Sequence, residues 1–111
     1  MSIQQLLCQA YAEETVTIPA GWGQGRATYG GLVAGLLCSR LIASLGDVGQ
    51  ARMLRSATVS FIGAVAVGEV ILKTEVFRSG KSVTQAEARL IQNGEVLAVL
   101  LASFGGARES A

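Results

Sequence analysis

Two adjacent glycines, Gly30 and Gly31, stand between Tyr29 and a long apolar segment that begins at Leu32. Glycine has no side chain, so another backbone or a ligand can approach the chain closely there. The first amides of a helix have no helical acceptor and carry the positive end of the helix dipole. A helix that begins at Gly31 would let the amides of Gly31 and Leu32 stabilise negative charge on a carbonyl oxygen. We assign these amides, with Tyr29, to a candidate catalytic site. The alternative is that the glycines only allow the helix start to pack closely against a sheet.

A second group of polar residues, Arg78-Ser79-Gly80-Lys81-Ser82, separates two alternating apolar segments. Arginine presents a planar fork of donors and lysine a point charge, and both groups suit phosphate oxygens. The group is therefore a candidate binding site for an anionic ligand. A plain hairpin with a solvated charge pair explains the same residues without any function.

Several kinds of chemistry are excluded by residues that the chain lacks. It has no histidine, so Ser-His-Asp and Cys-His mechanisms are impossible within it. Cys8 and Cys38 are far apart in apolar surroundings, so we expect two buried free thiols and no metal site. Cys38 is a poor nucleophile because no histidine is present to activate it. The net charge is +1 and the basic residues are scattered, which argues against a nucleic-acid partner.

The elements that would position these groups follow from the hydrophobic periodicity. A short amphipathic helix is followed by a strand, a glycine-rich loop over residues 20–29, one long apolar helix that Gly46 ends, and four further strands. Asn93-Gly94 is a type I′ turn dipeptide between the last two strands. The predicted helices span 2–12 and 31–45, and the predicted strands are Thr15–Ile18, Met53–Ile62, Glu69–Phe77, Lys81–Gln92 and Val96–Phe104.

The order β-α-β-β-β-β predicts an α+β fold in which a curved antiparallel sheet wraps around one long central helix. We expect a single domain over 1–111, with its core at about 15–105 and with 106–111 as a polar tail or the start of a linker. Val96–Phe104 is apolar on both faces, so we expect the sheet to pair with a second copy or a homologous domain. No signal peptide or membrane span is evident, so a soluble cytoplasmic protein without a membrane partner is predicted.

Three motifs in this order resemble the hotdog-fold acyl-CoA thioesterases, above all the N-terminal hotdog half of the acyl-CoA thioesterase II type. They are Tyr29-Gly30-Gly31 at the start of the helix, Arg78-Ser79-Gly80-Lys81-Ser82 in a hairpin, and Ala102-Ser103-Phe104 at the end of the last strand. The resemblance covers roughly 15–105. It implies a protein that hydrolyses or binds acyl-CoA thioesters and needs no cofactor besides the coenzyme A of its substrate. It also implies that Gly30, Arg78, Gly80, Lys81 and Ser82 contact that substrate.

Two departures from the family pattern leave the activity open. Many members carry an Asp or Glu two turns after the paired glycines, but the matching position lies near Cys38, and no carboxylate occurs between Arg26 and Gly46. The closest members also join two hotdog domains, with the catalytic polar residues mostly in the second. One hypothesis is an acyl-CoA thioesterase completed by a partner. The other is a non-catalytic hotdog domain that supplies pocket and dimer surface to a catalytic one. A hotdog dehydratase is disfavoured, since those enzymes generally rely on a histidine.

Overall fold

The computed structural model describes residues 2–19, 26–46, 52–80 and 82–106, and describes 26–29 and 52 by their backbone alone. Within these residues the chain forms two helices and a five-stranded antiparallel sheet in the strand order β1-β3-β4-β5-β2. The predicted α+β arrangement is therefore confirmed. The elements are α1 (Ile3–Ala12), β1 (Thr15–Ile18), α2 (Arg26–Leu45), β2 (Arg52–Phe61), β3 (Gly68–Ser79), β4 (Val83–Gln92) and β5 (Glu95–Gly106).

The helix α1 begins with a capping box. The Ser2 hydroxyl accepts from the Gln5 amide, and the Gln5 side chain accepts from the Ser2 amide at 2.8 Å. This reciprocal pair satisfies two backbone donors that the first turn leaves free. One side of α1 packs against α2, and there the Ser39 hydroxyl of α2 donates to the Leu7 carbonyl of α1 at 2.8 Å.

The helix α2 packs against β3, β4 and β5. It is apolar almost all round, which is typical of a helix covered on most sides. It ends at Gly46, whose φ of +58° is the left-handed stop that the sequence predicted. The largest fully buried side chains include Leu32, Leu36, Leu37 and Leu41 of α2 together with Leu72, Leu90 and Phe104 of the sheet.

The strands agree with the alternation of the sequence to within about two residues at most ends. Asn93 and Gly94 have φ values of +53° and +79°, as a type I′ turn requires, so the predicted hairpin is confirmed. The strand predicted from Lys81 begins at Val83 instead. No helix in the described segments is long and apolar enough to span a membrane.

Two sequence predictions about the helices are wrong. The helix α2 begins at Arg26 rather than Gly31, because Arg26-Ala27-Thr28-Tyr29 contains no helix breaker and the glycines that follow are tolerated inside a helix. Cys8 is exposed rather than buried, because it lies on the side of α1 that faces away from the buried Leu6 and Ala10. Cys38 is half-buried, and both cysteines are free thiols as predicted.

Candidate active site

The paired glycines lie inside α2 and not at its start. Because α2 begins at Arg26, regular helical geometry gives the amide of Gly31 the carbonyl of Ala27 as its acceptor and that of Leu32 the carbonyl of Thr28. The prediction that these amides are free first-turn donors is therefore wrong for this conformation. The Leu32 side chain is buried in the core, so only its backbone could meet a ligand. Of Tyr29 the structure describes the backbone alone, which lies in the turn before Gly30.

Packing within the described chain requires neither glycine of the pair. A Cβ atom added at Gly31 would meet nothing within 4 Å, and Gly31 is exposed. A Cβ atom added at Gly30 would lie 3.6 Å from the ring of Phe61, which is an ordinary van der Waals contact. Gly35 differs, because a Cβ atom there would lie 3.1 Å from a methyl group of Leu7. The absence of side chains at Gly30 and Gly31 therefore leaves open surface instead of close packing.

Next to Gly30 lies an uncovered apolar surface, which we call the β2 ledge and define as Leu54, Ala57 and Phe61 on the helix side of β2. Ala57 pairs with the buried Ala102, which places the ledge on the same face as the core. Even so, Leu54 is 43% exposed and Phe61 is 57% exposed. A helix is about 10–12 Å across and strands are about 4.8 Å apart, so one helix cannot cover five strands.

Alternation along the predicted strand Met53–Ile62 places Ala57 and Phe61 on one face, but the sequence alone does not connect that face with the glycines. The signal that could have done so is the mismatch in width between one helix and five strands. This comparison of widths requires the strand order. The inner face of β2 lies beyond the reach of α2 because β2 is an edge strand.

The predicted anion-binding residues Arg78, Gly80 and Ser82 come together at the β3–β4 turn. They line a cavity of about 350 Å³ with Val83 and Gln85. The Gly80 amide donates to the Val83 carbonyl at 2.8 Å, which closes the turn beneath this cavity. Lys81, the fourth residue of the prediction, lies outside the described residues.

The two predicted groups lie at opposite corners of the sheet. Phe61, beside Gly30, is aligned through β5 with Leu90 of β4, whereas Arg78 is aligned with Gln85 of the same strand. The offset along β4 and the three strand spacings between β2 and β3 give a separation of roughly 20 Å. Gln85 also alternates with the buried Thr84 and Ala86, so it and Arg78 lie on the face away from α2. No single small group could contact both sites.

The described residues offer little acid–base chemistry near the glycines. Burial raises the pKa of the Cys38 thiol above its usual value, so at neutral pH it is an uncharged thiol. Glu75 and Glu87 alternate with core residues of the sheet and point away from α2. The arrangement can therefore bind and orient a ligand beside α2, and no residue described here is placed to activate water there.

Comparison with known proteins supports the interpretation of the fold. Residues 18–105 match the family model of the acyl-CoA thioesterase N-terminal domain. The acyl-CoA thioesterase II TesB2 of Mycobacterium marinum is 24% identical, with a TM-score of 0.68, over 76% of this chain and 32% of that one. The PaaI protein of the Escherichia coli phenylacetic acid degradation operon is 16% identical, with a TM-score of 0.75, over 91% and 88% of the two chains.

A third similar structure, a Bacillus halodurans protein crystallised with CoA, is 15% identical, with a TM-score of 0.69, over 82% of this chain and 64% of that one. No curated protein matches the chain. The chain thus spans about a third of the length of the M. marinum enzyme and most of the length of PaaI. At these identities the solved structures establish a shared fold, which is the hotdog arrangement that the resemblance implied.

Proposed function

The chain belongs to the family of acyl-CoA thioesterase N-terminal domains, and on that premise we propose that it binds acyl-CoA thioesters beside α2. One observation carries the proposal: the open surface at Gly31 lies next to Gly30, whose Cβ position is 3.6 Å from Phe61 of the β2 ledge. An acyl chain needs an apolar surface, and its thioester needs a place where backbone donors can come close. The ledge offers the apolar surface, and the glycine pair beside it leaves room for a ligand to approach the backbone.

The role of the Gly31 and Leu32 amides in holding the thioester oxygen remains part of this proposal. In the observed helix both amides have helical acceptors, so the turn before Gly31 must open before they can donate to a ligand. Each interior glycine lowers helix stability by about 1 kcal/mol relative to alanine, which makes this turn the easiest part of α2 to open.

Hydrogen exchange tests this step. We expect the amides of Gly31 and Leu32 to exchange much faster than that of Leu36, and to become protected when an acyl-CoA analogue binds.

We further propose that the phosphates of coenzyme A bind at the β3–β4 turn through Arg78, Gly80, Lys81 and Ser82. The cavity that three of these residues line supports this assignment. The site is roughly 20 Å from Gly31 and on the other face, so the acyl group and the phosphates of one substrate would be held by two different hotdog units.

The edge strand β2 is where we propose that the second unit binds. It is ten residues long, and within the described chain only β5 pairs with it. A long unpaired edge beside exposed apolar side chains favours strand addition. The second unit would be another copy of this chain or the second hotdog domain of a longer protein. A cytoplasmic location stays a prediction from the sequence.

Binding and hydrolysis should be measured separately on the 111-residue chain. We expect a nonhydrolysable acyl-CoA thioether to bind, with affinity rising as the acyl chain lengthens because more apolar area is buried. Gly31→Val should abolish binding of the acyl portion without unfolding the chain, since a side chain at Gly31 meets only open space. Absence of any binding across acyl lengths would refute the proposal.

The phosphate assignment has its own test. Arg78→Gln should weaken binding of the acyl-CoA about tenfold, which corresponds to about 1.4 kcal/mol, the scale of a charged hydrogen bond. The same substitution should leave binding of the acyl-pantetheine, which lacks the nucleotide phosphates, unchanged. Equal losses for both ligands would show that Arg78 acts on the fold and not on phosphate.

A second candidate function is that of a non-catalytic hotdog unit. It is favoured by the lack of any carboxylate between Arg26 and Gly46 and of any histidine in the chain. In this case the chain alone binds the thioether but hydrolyses acyl-CoA at the background rate. Activity would then return on addition of a catalytic hotdog domain. Turnover by the isolated chain would exclude this candidate.

A further inference from the structure

The sheet face that points away from α2 carries two neighbouring rows of charge of opposite sign. On this face Lys73 of β3 is paired directly with Arg89 of β4, and one row further along Glu75 is paired directly with Glu87. Like charges opposite each other in a sheet destabilise it. This face therefore contains two unfavourable pairs, one cationic and one anionic, side by side.

Contacts within the chain offset these charges only in part. Arg89 donates to Glu87 of its own strand, and Lys73 forms an exposed ion pair with Glu14 at 3.1 Å. Glu75 has no ion-pair partner among the residues that the structure describes. Glu87 is only 8% exposed, although it is charged and lies on a face that no other described element covers.

The two charged rows continue into apolar residues on β5. Val99 follows Arg89, and Leu101, which is 47% exposed, follows Glu87. Near the C-terminal end of β3 on the same face, Phe77 is 52% exposed and lines a cavity together with Leu101. The face thus combines two like-charge pairs and the unpaired Glu75 carboxylate with exposed apolar area.

We propose that this face binds a second copy of the same face across a two-fold axis. The axis runs across the strands, midway between the row Lys73–Arg89–Val99 and the row Glu75–Glu87–Leu101. Rotation about it inverts the strand direction and leaves each strand above its own copy. Every residue of one row then faces its neighbour in the other row.

The resulting contacts are complementary throughout. Each Lys73 meets a Glu75, each Arg89 meets a Glu87, and each Val99 meets a Leu101. One register therefore satisfies the charges and covers the apolar residues at the same time, as expected of an isologous interface. This contact uses the opposite face from the β2 ledge and does not depend on the proposed thioester site. It shares its face with Arg78, which is paired with Gln85 one row beyond Glu87 and lies beside the two contacting rows.

Charge reversal at one position of each row tests this register. Glu75→Lys places two cations opposite each other in the assembly, and Lys73→Glu places two anions there. We expect each variant alone to have half the mass of the parent assembly by sedimentation equilibrium at micromolar concentration. An equimolar mixture of the two variants restores both pairs, because one chain then carries lysine at both positions and the other carries glutamate at both. The mixture should recover the parent mass.

Two further variants separate this contact from general effects. Glu95→Lys makes the same charge change at the exposed β4–β5 turn and should leave the mass unchanged. Leu101→Lys should halve the mass without touching the ion pair between Lys73 and Glu14. Circular dichroism confirms that each variant is folded. The proposal is overturned if the parent chain is monomeric, if the reversals leave its mass unchanged, or if the mixture fails to recover it.

Discussion

Alanine substitution at two glycines of α2 gives opposite expectations from the same chemical change. Gly31→Ala and Gly35→Ala both replace an interior helical glycine, and each gains about 1 kcal/mol of helix propensity. At Gly31 the new methyl group meets nothing within 4 Å. At Gly35 it comes within 3.1 Å of the Leu7 side chain, so α1 or Leu7 must move by a few tenths of an ångström.

The expected stabilities follow from these distances. Gly31→Ala should raise the free energy of unfolding by about 1 kcal/mol, which for a domain of this size is a rise in Tm of roughly 4–8 °C. Overpacking typically costs about 1–3 kcal/mol. In Gly35→Ala this cost should equal or exceed the gain in helix propensity, so the free energy of unfolding should be unchanged or lower. The two variants should therefore differ by at least about 1 kcal/mol, with Gly31→Ala the more stable.

Urea unfolding followed by circular dichroism measures this difference, and titration with the acyl-CoA thioether measures function. We expect Gly31→Ala to be more stable and to bind more weakly, because the methyl group occupies the proposed site and strengthens the turn that must open. Gly35→Ala should bind like the parent. A destabilised Gly31→Ala would show that the surface is not open. A stabilised variant with parental affinity would refute the ligand-facing role of the glycine pair.

Three further outcomes test the core, the loop before β3 and the half-buried thiol. Phe104→Ala should lower the free energy of unfolding by about 3–5 kcal/mol in urea, since the ring is fully buried, and a loss below about 1 kcal/mol would contradict this packing. Gln92→Leu should cost about 2–3 kcal/mol and speed hydrogen exchange of the Ala66 amide, because the Gln92 side chain bonds both the amide and the carbonyl of Ala66 at 2.9 Å. Unchanged exchange would refute that tie. Cys38 should be alkylated more slowly than the exposed Cys8 at neutral pH, as mass spectrometry of labelled peptides can show, and equal rates would contradict its burial. The pKa of Cys38 is raised in the folded state, so its contribution to stability is complete below the unfolded pKa and is lost as pH rises through the folded one.

The strands could be predicted from the sequence because their signals are local. Alternating β-branched and polar residues set each strand, and Asn93-Gly94 sets the register of β4 against β5. The sequence of β5 is apolar on both faces, and the structure accordingly places it between β4 and β2. These inferences needed only neighbours along the chain or across one turn.

The start of α2 and the uncovered ledge could not be predicted in the same way. Arg26-Ala27-Thr28-Tyr29 suits a helix or a loop, and the glycines at its end favour neither strongly enough to decide. The exposure of Phe61 depends on the strand order and on the width of one helix, which are non-local properties. The exposure of Cys8 was predictable in principle, since helical periodicity places it about 200° from Leu6 and from Ala10.

Three exposed features lie close together along β2, and one hotdog unit bound at this edge would cover all of them. The space at Gly31 is open, the ledge formed by Leu54, Ala57 and Phe61 is uncovered, and within the described chain β2 has a paired strand on one side only. Each feature alone has an ordinary explanation. A hotdog unit paired along β2 would extend the sheet, cover the ledge and bring its own residues towards Gly31. If the proposed thioester site is correct, a water-activating group would come from across this edge, and the charged face on the other side of the sheet would be the one that binds a second copy.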